Sequence, residues 1–134
     1  MNIEFIDIPK IKNVKGNIGV IELDTLPYDI KRVFYLFDVP SSARRGGHAH
    51  KNLKQTMIAL SGSFDVVLKD GKSVKKVTLN KPDVAMLVHN NIWSELENFS
   101  SGAVCMVIAS DIYDESDYIR NYKDFRAYVK ELNK

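Results

Sequence analysis

The chain has a single cysteine in 134 residues, so no disulfide can form within it. Cys105 lies inside the apolar run AVCMVIA, where a buried thiol is the expected role, and this cysteine usage fits a reducing cytoplasm. An excess of either charge is also missing. Lys and Arg number 19 against 17 Asp and Glu, a formal net charge of +2, and no basic block exceeds a pair such as Arg44-Arg45. Charge this dispersed argues against a nucleic-acid-binding or membrane-surface protein. No segment approaches the roughly eighteen apolar residues of a membrane span, and MNIEFIDIPK lacks the basic-then-apolar order of a signal peptide. Repeats, low-complexity tracts and linkers are absent as well, which leaves one domain over residues 1–134.

What is present is a composition able to build a core: 45% hydrophobic and 27% charged. Apolar segments of strand length recur along the first 110 or so residues: NIGVIEL, RVFYLFDV, QTMIALSGSFDVVL, KKVTL, VAMLV and AVCMVIAS. Asp70-Gly71 predicts a tight two-residue hairpin turn within FDVVLKDGKSVKKVTL, and SGS (61–63) and SSG (100–102) mark two more turns. Only SDYIRNYKDFRAYVKEL (116–132) changes period. Its apolar residues Tyr118, Ile119, Tyr122, Phe125, Val129 and Leu132 recur at threes and fours, which predicts one amphipathic helix with Ser116 or Asp114 as N-cap. Many short strands and a C-terminal α-helix predict an all-β domain, a sandwich or barrel of jelly-roll type.

Of the three histidines, two stand together in GGHAHKNLKQ (46–55). On a strand, side chains alternate faces, so His48 and His50 point the same way and Ala49 the other. Two readings stay open: a solvated strand face, or a pair of imidazoles projecting into a barrel interior.

The stretch resembles the first motif of the cupin superfamily, paired histidines followed by a carboxylate and then a glycine, here His48, His50, Gln55 and Gly62. Gln55 replaces the carboxylate. In KPDVAMLVHNNIWSEL, Ser94 stands where a second-motif histidine is expected, and His89 precedes the turn. A transition-metal site needs three or four converging N, O or S donors. Gln55 and Ser94 are poor substitutes, so no metal is expected.

A closer likeness covers almost the whole chain. IKRVFYLFD (30–38), RGGHAHKNLKQ (45–55), LSGSFDVVLKDG (60–71) and ASDIYDESDYIRNYKDF (109–125) are similar to the dTDP-4-keto-6-deoxyglucose 3,4-ketoisomerases. The resemblance implies a cupin-like jelly-roll (double-stranded β-helix) barrel without metal or cofactor. It further implies a homodimer with exchanged N-terminal strands and a dTDP-linked keto sugar as substrate. The 3-keto product would feed 3-amino-3,6-dideoxy sugars of lipopolysaccharide and other surface glycans.

Moving a carbonyl from C4 to C3 proceeds through an enediol and needs a base, an acid and a donor to the enediolate oxygen, but no redox cofactor. By resemblance, His50 serves C3, His48 serves C4, and Tyr35 orients a histidine or donates to the sugar. Arg32 and Arg45 suit a diphosphate, Gln55 lines the pocket, and Trp93 covers the sugar or thymine. Lys15 and Ser94 fall where the family decides the C4 configuration, galacto or gluco; arginine and histidine would mark the galacto type. Tyr35 and Trp93 have a plain alternative as core aromatics, and the tyrosine and phenylalanine stripe near the C-terminus is expected to pack on the barrel. Two other functions remain: an epimerase of nucleotide sugars, with a histidine and a tyrosine on opposite sides of the ring, and a non-catalytic sugar-nucleotide binding module.

Overall fold

The computed structural model describes residues 1–134. In chain order the strands are β1 (Glu4–Asp7), β2 (Lys10–Ile11), β3 (Ile18–Gly19), β4 (Arg32–Leu36), β5 (Arg45–His50), β6 (Gln55–Ser61), β7 (Phe64–Lys69), β8 (Val74–Leu79), β9 (Val84–Val88), β10 (Trp93–Glu97), β11 (Val104–Ala109) and β12 (Tyr118–Ile119). One α-helix, α1 (Tyr122–Leu132), follows. Two five-stranded sheets form, ordered β1-β9-β6-β11-β4 and β12-β5-β10-β7-β8, and β2-β3 makes a separate ribbon. All pairings are antiparallel, and most connections pass from one sheet to the other, which gives the expected jelly-roll.

Strand alternation sorts the side chains into three layers. Met57, Phe64, Val66, Met86, Phe99 and Val107 fill the space between the sheets. On the outside of the first sheet, Ile8 and Leu26 of the N-terminal segment cover Ile58, Ala85 and Ile108. On the outside of the second, α1 lays Phe125 over Ala49, Trp93 and Ile119. A fully buried leucine- or phenylalanine-sized side chain contributes about 1.5–3 kcal/mol, so the helix is held chiefly by this seam rather than by its own propensity.

Three local expectations change. The helix begins at Tyr122, capped by the Asn121 side chain accepting from the Asp124 N–H. Tyr118 and Ile119 are a strand pairing with His50 and Ala49, and Asp114 caps the short 3₁₀ turn Glu115–Asp117 instead. Their spacing to Tyr122 mimics a helical stripe, but pairing with β5 satisfies the same backbone groups and buries Ile119. The β7–β8 connection is a four-residue turn in which only Gly71 has positive φ, at 95°. The Asp70 carboxylate accepts from the Lys72 and Ser73 N–H groups, so it stabilises the turn from a negative-φ position. NIGVIEL forms only the two-residue β3. Gly62 has a strict reason: its φ is 66°, and an added Cβ would lie 2.9 Å from the Ala103 Cα.

No helix is long and apolar enough to cross a membrane.

Candidate functional site

Between the two sheets, beside His48, lies a cavity of about 520 Å³. β5 contributes Arg45, Gly46 and His48; β6 contributes Gln55; β10 contributes Ser94; and Arg120 closes the side next to β12. A wider groove of about 610 Å³ runs between α1 and the β7–β8 turn, lined by Lys72, Lys123, Arg126 and Lys130. No His, Asp or Glu side chain lines it, whereas His48 lines the barrel cavity.

The histidine pair sits as period two requires. Gly46, His48 and His50 face inward, while Ala49 packs under α1. The imidazole centroids are 5.1 Å apart with the rings nearly perpendicular. His48 lines the cavity, whereas His50 is only 5% exposed. Behind His50 stands Asp117, whose Oδ2 lies 3.2 Å from Nδ1. The same carboxylate accepts from the Asn52 and Leu53 N–H groups at 2.8 and 3.1 Å, which fixes it against the loop after β5. An Nδ1–H donated to Asp117 leaves Nε2 with a free lone pair. Tyr118, opposite His50 across the β5–β12 pair, packs its ring 4.2 Å from His50 and 5.0 Å from His48.

Burial is the main force on both imidazoles. It pushes His48 down to about 4, helped by the neighbouring His50 and Arg120 and opposed by Glu115. His50 is also lowered, first by burial and then by the Arg32 and Arg120 cations, while Asp117 pulls the other way. Both rings are therefore neutral near pH 7, the form in which imidazole accepts a proton.

The remaining expected residues divide. Gln55 and Ser94, 4% and 2% exposed, line the cavity, and Ser94 is the direct cross-strand partner of His48. Arg45 borders both the cavity and a shallow pocket beside Tyr35 and Phe37. Arg32 stacks on Phe34 at 4.4 Å and Tyr113 at 5.4 Å, near enough to His50 to depress it. Tyr35 touches the cavity rim, but it pairs with Met106 on the outer face of its sheet and is 62% exposed, so its side chain is directed away from the histidines. Trp93 precedes Ser94 on β10 and so faces outward, 5.2 Å from Tyr122 and 5.8 Å from Phe125 under α1. Lys15 is exposed in the turn between β2 and β3, outside the cavity lining. His89 lies at the surface against Glu4.

Asp117, Tyr118 and Arg120 were not expected at the site from the sequence, although the wording ASDIYDESDYIR was singled out. The segment's helical spacing masked a strand that adds to β5. No group of three or more His, Cys, Asp or Glu side chains gathers where a metal could be held.

Residues 1–130 match the family model described as FdtA: WxcM-like, C-terminal. The chain is 42% identical over 134 residues to the TDP-4-oxo-6-deoxy-alpha-D-glucose-3,4-oxoisomerase of Aneurinibacillus thermoaerophilus, covering 99% of this chain and 96% of that one. Its fold superposes on a sugar 3,4-ketoisomerase from Thermoanaerobacterium thermosaccharolyticum in complex with TDP, with a TM-score of 0.95 at 38% identity, over 98% of this chain and 96% of the other. A TDP-quinovose 3,4-ketoisomerase from Campylobacter jejuni is similar at TM-score 0.89 and 43% identity, over 94% and 98% of the chains.

Proposed function

The chain belongs to the FdtA family of WxcM-like domains, and from that premise we propose that residues 1–134 form a single catalytic unit that moves the keto group of dTDP-4-keto-6-deoxyglucose from C4 to C3. The observation that carries the reading is the neutral histidine pair at the barrel cavity, with Asp117 behind His50.

The proton inventory suggests how the pair divides the work. Isomerisation removes hydrogens from C3 and from the C3 hydroxyl, and adds them at C4 and at the C4 oxygen. Atoms and electrons balance without metal or redox cofactor. His48, the imidazole lining the cavity, takes the C3 proton and returns it at C4. His50 moves the hydroxyl proton from O3 to O4, and its transient imidazolium is stabilised by Asp117. This order differs from the one implied by the resemblance, which gave C3 to His50, because His48 is the imidazole on the cavity lining and His50 lies deeper, beside Asp117. Arg45 is placed for the diphosphate, and Gln55 for a sugar oxygen. Tyr35 acts on the cavity rim in this reading rather than on a histidine. Lys15 meets substrate only if the β2–β3 ribbon reaches a partner's cavity. A homodimer is supported by the apolar side chains left exposed on that ribbon and on β4, Ile11, Val14, Ile18, Val33 and Tyr35 among them. The epimerase alternative is less well served, since Tyr118 lies on the histidines' side and Tyr35, on the opposite sheet, turns its side chain outward. An aminotransferase would consume the 3-keto product in the cytoplasm, leading to 3-amino-3,6-dideoxy sugars of surface glycans.

The test is proton NMR of the protein mixed with dTDP-4-keto-6-deoxyglucose in deuterated water, without added metal. Loss of the C3 signal together with a new 3-keto species is expected, and the C3–C4 coupling reports the C4 configuration. Binding without any change at C3 would leave a sugar-nucleotide binding module instead. Light scattering on the same sample reads the dimer.

A further inference from the structure

Arg120 is the one cation in contact with both the cavity and the Tyr118 ring, which packs against both histidines. Its guanidinium lies 4.2 Å from the Tyr118 ring centroid, and it lines the cavity together with His48. It is fixed from behind. Nε and Nη2 donate to the two oxygens of Glu115 at 2.6 and 2.8 Å, a fork-to-fork pair, and the Tyr113 hydroxyl donates to the same carboxylate. That pairing leaves Nη1 free of the carboxylate. Arg32 of β4 lies 5.4 Å from the Tyr113 ring centroid and adds a second cation to the assembly.

A fixed cation beside a base opposes protonation of that base at rest. The arrangement becomes favourable when an anion forms next to both, and two anions are available in the substrate. The diphosphate is permanent, and Arg44 and Arg45 already border the cavity at the start of β5. The second anion is transient. When the base takes the C3 proton, the C–H pair forms the C3–C4 double bond, the carbonyl pair moves onto O4, and the oxyanion arises within reach of His48's neighbours.

We propose that Arg120 is a catalytic residue that binds the enediolate oxygen, and that Glu115 is its positioning residue. This inference rests on the ketoisomerase reading and assigns its missing electrophile. The guanidinium contributes only when charge appears, so it acts on the chemical step rather than on ground-state binding. It also opposes protonation of His48, adding to the larger effects of burial and of His50. The charged or titratable groups around that ring are His50 on β5, Tyr118 on β12, Arg120 just after it, Glu115 on the 3₁₀ turn, and Arg44 and Arg45 on the same cavity lining.

The experiment compares wild type, Arg120→Met, Arg120→Lys and Glu115→Gln for kcat, KM, TDP affinity by calorimetry and the pH profile. Arg120→Met is expected to lose about 100- to 1,000-fold in kcat, with TDP affinity within threefold of wild type. The acid limb of kcat/KM moves to higher pH, because a cation opposing the imidazolium has gone. Glu115→Gln shows a smaller loss in kcat with the same unchanged TDP affinity. Should Arg120→Met not fold, Arg120→Lys decides, with at least a tenfold loss in kcat expected at unchanged TDP affinity. A kcat within threefold of wild type in the folded arginine variants overturns the proposal, as does a tenfold loss of TDP affinity at unchanged kcat, which would make Arg120 a diphosphate anchor. An inert wild type overturns the ketoisomerase reading itself, a result distinct from active wild type with active variants.

Discussion

Asp117→Asn isolates what the carboxylate does for His50. Three N–H groups converge on its two oxygens: Asn52 at 2.8 Å, Leu53 at 3.1 Å and His50 Nδ1 at 3.2 Å. A carboxamide has one accepting oxygen, so at least one of these donors faces an NH₂ group whichever way the amide turns. Turned to keep the His50 and Leu53 bonds on its oxygen, the amide faces only the exposed Asn52 N–H, so the loss is about 1 kcal/mol and Tm is expected to fall by a few degrees. The catalytic loss follows from charge. An imidazolium and a carboxylate 3.2 Å apart attract by about 5 kcal/mol at an effective dielectric near 20. With the proton about half transferred in the transition state, half of that is lost, roughly 50- to 100-fold in kcat. The assay is the NMR time course at pH 7 and a temperature where both proteins are folded, with thermal unfolding measured alongside. A folded Asp117→Asn protein with kcat within threefold of wild type would refute the role given to the His50–Asp117 pair.

Acid should destabilise the fold between pH 6.5 and about 4. There the unfolded chain binds protons at its histidines that the depressed His48 and His50 refuse, so stability is full above 6.5 and is lost as pH falls through the window; His48 alone accounts for at most about 3 kcal/mol. Urea midpoints at pH 7.5 and 4.5 measure it, and equal midpoints would contradict the buried, neutral state of the pair. Trp93→Phe keeps the ring under α1 and removes an indole N–H that has no partner. Stability within about 1 kcal/mol and unchanged substrate affinity are expected by melting and calorimetry, and a large rise in KM would return Trp93 to the sugar site. Ser94→His places an imidazole opposite His48. The C4 epimer ratio, read from the C3–C4 coupling, should change, and an identical ratio would remove Ser94 from stereochemical control.

Much of the barrel could be read in advance because its strands are apolar and evenly spaced. The histidine pair was equally plain, since period two puts His48 and His50 on one face whatever else happens. β10 was harder. WSELE alternates with acidic residues and looks like a loop, and with that strand unrecognised, Trp93 and Ser94 were both assigned to the pocket although neighbours on a strand cannot share a face. The same parity separates Arg32 from Tyr35 on β4. Asp117 was unreadable for another reason. It lies 67 positions from His50, and nothing local in either segment encodes that closure.

That separation orders the assembly of the site. His50 leaves the ribosome first and the strands that surround it follow, while Asp117 and Arg120 come 67 and more residues later. A nascent chain can thus enclose the imidazoles before the carboxylate that holds one of them exists. The His50–Asp117 contact closes only once the segment carrying β12 has docked along β5.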